Sequence, residues 1–479
     1  MSKIKTLHLT NSWHENSGGV ATFYRALLAA AEDVGHEIRL VVPGSETRVE
    51  EPSKTAKIYY LKSPQAPLNK NYRVIYPSRF LYPGTALQQI LDYERPDLVE
   101  ICDKYNLNYL GALLRIHLAG NKDWKPTVVG LSCERMDDNF ATYIGHSRVG
   151  KLFSAVYMRW CYFPFFDHHI AVSEHTAAEL RQASRGHRIT RGVWVQPMGV
   201  DCDRFLPGLR HREIRNQICR RIGIPPEAFL LLYVGRLVPE KNLPLLLETL
   251  KLLLREPREY RLLLVGDGME RQALEERARR TLPGRISFLG FESDRRILAE
   301  IYANADVFLH PNPNEPFGIA PLEAMASGLP MVAPNAGGVL SFANPGNAFL
   351  VAPDAMSFAD AVRTLAENPD LRAQTGKVAR KTAESYRWSE ATSNFLRLYA
   401  QLHEITAHGQ QLTVANPTFL SKAPGRITSM LARAAAVAVT AGFRGVVRLR
   451  SSIRSFSAVP ADEVTLLHRP WSATRKVNQ

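Results

Sequence analysis

Two glutamates, Glu315 and Glu323, stand eight positions apart in the stretch EPFGIAPLEAMASGLP. Pro316 favours a helix entrance, so the stretch predicts a loop ending near Glu315 and a helix that carries Glu323. The first N–H groups of a helix lack carbonyl partners and bind anions such as phosphate. Carboxylates beside a phosphate need another partner, and a carboxylate can accept hydrogen bonds from neighbouring hydroxyls. The pair therefore predicts a ligand with sugar hydroxyls on both sides of a phosphate group.

Backbone groups would do much of the phosphate binding. The unpaired N–H groups at the helix start belong to Phe317, Gly318, Ile319 and Ala320. Glu323 follows about one and a half turns into the helix and can lean back toward its start, because helical side chains point toward the N-terminus. In the alternative interpretation, Glu315 caps the helix and Glu323 is a surface charge.

Two cations follow an earlier strand, in the stretch VGRLVPEKN. Arg236 and Lys241 fall in the loop at the carboxyl end of that strand, where open α/β sheets bind anions. Arginine offers a planar fork to phosphate oxygens, and lysine offers a movable point charge. Together they could neutralise a leaving diphosphate without a metal ion, although solvated loop residues would show the same spacing.

The elements that must position these residues alternate regularly. Short β-branched or leucine-rich runs alternate with amphipathic, helix-length segments almost to residue 385, which is typical of parallel sheets with crossover helices. A stretch rich in Arg and Pro, Pro207 to Pro226, breaks the alternation. The sequence therefore predicts an α/β protein with two doubly wound, Rossmann-like domains facing a central cleft.

Four segments follow from this division. Residues 1–205 form the predicted first domain and residues 206–385 the second. Residues 386–408 form an amphipathic helix that packs on the domains or bridges them. Residues 409–479 form a basic tail that is partly disordered or associated with a membrane.

The second half resembles a known family. The stretches GRLVPEKN, LLLVGDGMERQALE, ISFLGF and EPFGIAPLEAMASGLPMVAPNAGG are similar, in order and spacing, to the retaining glycosyltransferases of family 4 (group 1), which have the GT-B architecture. The resemblance implies sugar transfer from a nucleotide-diphosphate sugar, with retained anomeric configuration and no essential metal ion. Arg236 and Lys241 would hold the diphosphate, Glu315 would face the hexose hydroxyls, and Glu323 would take the ribose. The second domain would then bind the donor and the first the acceptor.

Further donor-side positions come from the same resemblance. The region from Gly266 to Phe291 would wall the base, although a glycine-rich turn such as VGDG is more often tight packing. Gly18 and Gly19 follow the first strand, as the family's glycine-rich loop does. They would let the backbone approach the phosphates across the cleft, whereas the plain alternative is a flexible turn.

The acceptor side departs from the family pattern. Where the family usually has a histidine after a strand, this chain has Ser132 and Cys133, within GLSCERMDD. Neither side chain has the basicity of an imidazole near neutral pH. Glu134 and Arg135 follow directly, so this loop would recognise a particular acceptor unless its charges are merely solvated.

Composition and charge limit the partners and the cellular location that we expect for the protein. The net charge is +14 over 479 residues, and the tail holds ten Lys and Arg against two acids. The tail could lie on an anionic membrane surface or stay disordered, and no nucleic-acid partner is expected. Five scattered cysteines show no zinc spacing, and polar residues come too early for a signal peptide. We expect a cytoplasmic protein without metal or cofactor, at most peripheral to the inner face of the plasma membrane.

These features give one main prediction and two alternatives. The chain is expected to be a retaining hexosyltransferase that moves a sugar from a UDP- or GDP-sugar to a hydroxyl of a cell-envelope or polysaccharide precursor. Its catalytic residues would be Glu315, Arg236 and Lys241. A sugar-nucleotide epimerase or hydrolase of the same fold would need no acceptor, and a non-catalytic nucleotide- or polyanion-binding protein would depend on the basic tail.

Overall fold

The computed structural model describes residues 3–13, 18–66, 72–81, 84–119, 123–143, 148–185 and 192–408. Within them the chain forms two predominantly parallel sheets flanked by helices. The basic tail, 409–479, lies outside the described residues, and so does its predicted contact with a membrane.

The first sheet has eight strands. They are β1 (Lys5–Thr10), β2 (Glu37–Gly44), β3 (Arg48–Glu50), β4 (Ala56–Lys62), β5 (Leu98–Cys102), β6 (Thr127–Ser132), β7 (His168–Ala171) and β8 (Val193–Val195). Their order is β3-β4-β2-β1-β5-β6-β7-β8, and neighbours pair in parallel except for β3, which is antiparallel to β4. The strand order reverses between β1 and β5, so a crevice opens at the carboxyl ends of these two strands.

Six helices cover this sheet: α1 (Gly19–Val34), α2 (Ala86–Glu94), α3 (Asn108–Arg115), α4 (Met136–Tyr143), α5 (Arg148–Tyr157) and α6 (Glu174–Ser184). Helix α1 follows β1 and buries Phe23, Leu27 and Ala31 at the spacing of one helical face. It ends at Gly35, whose φ of 68° is left-handed and suits a glycine. The helix therefore starts at the crevice and runs away from it.

The second sheet has six parallel strands. They are β9 (Phe229–Val234), β10 (Tyr260–Val265), β11 (Ile286–Gly290), β12 (Val307–Leu309), β13 (Met331–Pro334) and β14 (Phe349–Val351). Their order is β11-β10-β9-β12-β13-β14. The strand order reverses between β9 and β12, so the loops after these two strands share one crevice. Those loops carry Arg236, Lys241 and Glu315.

Seven helices belong to this part of the chain: α7 (Arg212–Ile222), α8 (Pro244–Leu253), α9 (Arg271–Thr281), α10 (Arg295–Asn304), α11 (Ile319–Ala326), α12 (Ala355–Glu367) and α13 (Pro369–Glu384). The stretch Pro207 to Pro226, predicted as a break in the alternation, contains helix α7, and its role as a domain boundary stays a prediction. Arg215 of α7 reaches Asp306 at 2.9 Å and the carbonyls of Asn304 and Ala228 at 2.6 Å. An arginine-rich composition typical of a linker thus supplies tertiary contacts here.

The last described helix, α14 (Trp388–Ala407), returns to the first sheet. At the start of α14, the Trp388 N–H donates to the Val200 carbonyl at 3.1 Å. Tyr399 then donates to buried Glu100 of β5, and Thr406 lies 3.0 Å from His168 of β7. The C-terminal helix therefore ties the second half of the chain to the first sheet. Across the described ranges, no helix combines the length and apolarity needed to cross a bilayer.

Candidate active site in the cleft

The starts of two helices meet across the cleft. A methyl group built on Gly19, at the start of α1, would lie 3.0 Å from Cδ1 of Ile319, at the start of α11. Gly18 precedes α1 and has no atom within 4 Å of such a methyl group. Ser173 of the first domain donates a 2.5 Å hydrogen bond to the carbonyl of Pro316. The glycine loop and the predicted phosphate-binding helix end are therefore direct neighbours.

The first turn of α11 presents its backbone to this junction. Gly318 has a φ of 102°, a left-handed conformation that favours glycine, and Ile319 and Ala320 follow as the first helical residues. Because these residues lie in the first turn, their N–H groups have no carbonyl of the same helix to bind. The Phe317 ring instead turns inward, at 5.3 Å from the Phe342 ring. Main-chain groups, rather than the aromatic ring, are thus what this turn offers a ligand.

A second loop clamps the residues before α11. The Gly338 N–H donates to the Glu315 carbonyl at 2.6 Å. A methyl group on Gly338 would stand 2.0 Å from the Pro316 carbonyl oxygen, which no side chain tolerates. The backbone around Glu315 is therefore fixed by close packing.

Glu315 and Lys241 form a nearly buried ion pair. Lys241 Nζ lies 2.7 Å from Glu315 Oε2, with side-chain exposures of 15% and 12%. Asn312 donates to the same oxygen at 3.2 Å, and His310 Nε2 lies 3.7 Å from it. Burial alone would raise the pKa of Glu315, but Lys241, His310 and the hydrogen bonds lower it to about 2. Glu315 is therefore ionised at any physiological pH.

Arg236 lies at the open side of this pair. Its guanidinium is 49% exposed and binds Glu240 at 3.0 Å, and its carbonyl accepts from Tyr233 at 2.9 Å. Glu240 also accepts from the Tyr143 hydroxyl of α4. Arg236 and Lys241 are thus both near the cleft, but Arg236 is the more accessible cation.

Glu323 is neither solvated nor a surface charge. Arg295 binds its Oε1 at 2.6 Å and Tyr302 donates to its Oε2 at 3.0 Å, and the side chain is 5% exposed. The alternative of a surface charge was therefore wrong. Each carboxylate oxygen can accept a second hydrogen bond, so the predicted contact with ribose stays a prediction.

The glycine loops beside β10 and β11 pack backbone against backbone. Gly266 has a φ of 140°, and a methyl group on it would stand 1.9 Å from the Gly235 carbonyl oxygen. Its N–H donates to the Gly290 carbonyl at 2.7 Å. The neighbouring Phe291 ring is 46% exposed. Tight packing accounts for Gly266, whereas Phe291 offers a free aromatic surface where the base was predicted.

The side chains of the acceptor-side loop, residues 132–135, have partners within the first domain. Ser132 donates to the Glu134 carbonyl at 3.1 Å, and the Cys102 and Cys133 sulfurs lie 3.6 Å apart. Asn139 donates to the Glu134 carboxylate at 2.8 Å, and burial raises the pKa of that carboxyl. Arg135 is part of a separate ion pair.

Arg135 binds Asp137 at 2.6 Å and donates to the His175 carbonyl at 2.9 Å. Its partners hold it against α6, so the interpretation of a freely solvated charge does not describe it. The acceptor roles of the four residues 132–135 stay predictions.

Several residues of the cleft escaped the sequence analysis. His310 and Asn312 stand directly before the quoted motif, within HPNPNEPF, and their polar types after a buried strand were a usable signal. Tyr143 and Ser173 come from the other half of the chain, so no local pattern could join them to Glu240 or Pro316.

The described part of the chain contains no group of three or more His, Cys, Asp or Glu side chains arranged to hold a metal ion. Metal independence itself stays a prediction, since it concerns the reaction.

Two facing Rossmann-like domains with a cleft between them are the plan of the GT-B fold, and this chain has that fold. Residues 17–204 match the family model described as Glycosyltransferase Family 4, and residues 215–382 match the one described as Glycosyl transferases group 1. The chain belongs to this family, group 1 of the glycosyltransferases, family 4. The predicted family and fold class are confirmed.

Relatives and solved structures agree with this assignment. The chain is 28% identical over 393 residues to the GDP-mannose-dependent alpha-(1-6)-phosphatidylinositol dimannoside mannosyltransferase of Mycobacterium tuberculosis, over 82% of this chain and 95% of that protein. Its fold is similar to sucrose-phosphate synthase from Thermosynechococcus elongatus, with a TM-score of 0.67 at 21% identity, covering 84% of this chain and 99% of that one. The Anabaena protein HepE in complex with UDP-glucose gives a TM-score of 0.61 at 19% identity, over 83% and 100% of the two chains.

Proposed function

We propose that the chain is a retaining, metal-independent hexosyltransferase that moves a hexose from a UDP- or GDP-sugar to a hydroxyl of a cell-envelope or polysaccharide precursor. The mannosyltransferase relative is named for GDP-mannose and for an inositol lipid, and the HepE structure contains UDP-glucose. These names support a nucleotide-diphosphate hexose as donor and a hydroxyl-bearing envelope molecule as acceptor.

One observation carries the proposal. The Lys241–Glu315 pair lies at the crevice of the second sheet, beside the start of α11 and opposite the glycine loop of the first domain. Both hydrogen bonds from Lys241 and Asn312 end on Oε2 of Glu315. Oε1 is therefore the oxygen offered to a hexose hydroxyl. Lys241 has three donors, so the same ammonium can contact Glu315 and a phosphate together.

The transfer then needs no side chain to attack the sugar. The bond from the anomeric carbon to the diphosphate oxygen breaks, and the acceptor oxygen bonds to that carbon on the same face. The acceptor proton passes to the departing diphosphate. Charge that develops on the diphosphate is neutralised by Arg236, Lys241 and the N–H groups at the start of α11, which are already in place before the reaction.

The reaction is tested by incubating the full chain with GDP-mannose or UDP-glucose, with and without EDTA and candidate acceptors. We expect acceptor-dependent release of the nucleoside diphosphate, unaffected by EDTA, and an NMR coupling that shows the donor's anomeric configuration in the product. Rapid conversion of the donor without acceptor would favour the epimerase or hydrolase instead.

Replacing Glu315 by glutamine tests the role of its charge. Glu315→Gln keeps the shape but weakens the contact with Lys241 and with the hexose, so we expect turnover to fall about 100-fold while nucleotide binding persists. Turnover, nucleotide affinity by calorimetry and the thermal midpoint should be measured together. A fully active variant with unchanged folding would contradict a role for Glu315 in transfer.

A further inference from the structure

Helix α5 and the turn after it hold large apolar side chains in solvent. Val149, Leu152, Phe153, Val156 and Trp160 are each between 49% and 77% exposed. Their spacing places them on one side of a helix. We call them the α5 apolar face. An apolar surface of this kind marks an interaction site on a folded protein.

The opposite side of α5 is firmly attached to the first domain. Tyr157 is buried, and its hydroxyl donates to the Lys104 carbonyl at 2.8 Å and accepts from Asn108 at 2.9 Å. Ser154 and Met158 are each 1% exposed. The helix is therefore anchored from below, and its apolar face points outward as part of the folded structure.

The charged residues of this segment of the sequence have one sign. Residues 139–166 contain Arg148, Lys151 and Arg159 and no Asp or Glu. The Arg159 guanidinium lies 5.4 Å from the centre of the Trp160 ring. Apolar side chains with flanking cations and a tryptophan are typical of helices that lie in an anionic membrane interface. A symmetric contact between two copies would instead bring these cations together.

The face also lies close to the mouth of the cleft. The Phe153 ring is 5.5 Å from the ring of Phe140 in α4. Tyr143, at the end of α4, donates its hydroxyl to Glu240 in the turn Pro239–Lys241. A surface in contact with α5 would therefore be near the cations that we assign to the donor diphosphate.

We propose that the α5 apolar face docks the protein on an anionic lipid bilayer and turns the cleft toward an acceptor displayed at the lipid surface. The docking stands on α5 alone, whereas the display of the acceptor rests on the proposed function. The α5 apolar face includes no residue of the basic tail at 409–479.

The docking is tested with full-length protein and sedimented vesicles of phosphatidylcholine, with or without phosphatidylglycerol. We expect binding to the vesicles that contain phosphatidylglycerol, weakened by salt. The Val149→Asp/Leu152→Asp variant should bind about tenfold more weakly. Met356→Asp/Leu371→Asp is the matched control, because these side chains are also exposed, in the second domain, and it should bind like the wild type.

A tail variant separates the two candidate contacts. Full-length protein with Arg444, Arg448, Arg450 and Arg454 changed to Gln should still lose vesicle binding when Val149 and Leu152 become Asp. The proposal is overturned if the wild type does not bind, if the α5 variant binds like the wild type with an unchanged thermal midpoint, or if the α5 variant merely converts a dimer to a monomer in light scattering.

Measurements of nucleotide binding and of donor turnover, made without vesicles, distinguish a failure of the docking from a failure of the proposed function. Both should be unchanged in the α5 variant. If the wild type bound vesicles but no nucleotide, the proposed function would fail while the docking stood.

Discussion

Charge at the cleft is controlled by a few buried side chains. Glu315 keeps a low pKa, although burial opposes ionisation, because Lys241 and His310 face its carboxylate. His310 shows the opposite balance: burial lowers its pKa to about 4, and the nearby Glu315 only partly compensates. At neutral pH Glu315 is therefore ionised and the His310 imidazole is neutral.

We predict that the folded protein loses stability on acidification, because it buries neutral histidines. Burial lowers the pKa of His169 to about 3 and that of His310 to about 4, against about 6.5 in the unfolded chain. Between these values the unfolded chain binds more protons, so stability falls as pH drops below about 6.5, by about 1.4 kcal/mol per pH unit for each histidine. The contribution of Glu315 does not interfere, because it is lost only as pH falls from about 4.5 toward 2.

Urea unfolding at pH 7 and pH 5 measures this effect. His310→Asn should reduce the difference between the two pH values, whereas His211→Asn, at an exposed position, should not. An equal pH dependence in wild type and His310→Asn would contradict the assignment.

We expect opposite effects from alanine substitutions at two glycines, because one glycine is closely packed and the other is not. An alanine at Gly266 would place its methyl group 1.9 Å from the Gly235 carbonyl, so we expect Gly266→Ala to lose about 3 kcal/mol or more of unfolding free energy. Gly18 has a φ of −78° and open space around it, so Gly18→Ala should change stability by less than about 0.5 kcal/mol. Denaturant unfolding of both variants checks the pair, and equal stabilities would show that the loop yields.

At the scale of elements, strand order explains why distant motifs share one site. The loops after β9 and β12 meet because these strands are neighbours at the point where the sheet changes direction. Helix α14 has a matching role for the first sheet. Its Tyr399 reaches the buried Glu100 carboxylate, which also accepts from Tyr24 at 2.7 Å and faces His8 at 3.0 Å.

Removing the Tyr399 hydroxyl tests how strongly α14 is anchored. Tyr399→Phe leaves one oxygen of a fully buried carboxylate without this donor, so we expect a loss of about 1–3 kcal/mol. Tyr93→Phe, at a tyrosine that is 63% exposed, is the control and should have little effect. Thermal unfolding of both variants supplies the comparison, and a loss in neither would mean that α14 is held by its apolar contacts.

Local sequence patterns predicted the helices and strands better than they predicted the contacts between these elements. The helix predicted to carry Glu323 is observed as α11, because a proline, a glycine and an apolar run mark it locally. Helix α7 was not predicted, because the Arg-rich and Pro-rich stretch around it was interpreted as a break between the two domains. The partners of Glu323, Arg295 and Tyr302, lie on α10, and no spacing in the sequence reveals how α10 packs against α11.

At the scale of the whole molecule, the two sheets are joined in two ways. Helix α14 bonds to the first sheet through Tyr399 and Thr406, while hydrogen bonds from Ser173 to Pro316 and from Tyr143 to Glu240 connect the two halves across the cleft. These cross-cleft contacts touch the same segments that carry Lys241 and Glu315. Donor binding and the relative position of the domains are therefore expected to be linked.

A crystal structure of the full chain with GDP or UDP bound tests the proposed donor site. We predict that the pyrophosphate lies between the starts of α1 and α11, within hydrogen-bond reach of Arg236 and Lys241, with the ribose near Glu323. A nucleotide bound far from Lys241 and Glu323 would contradict this donor site.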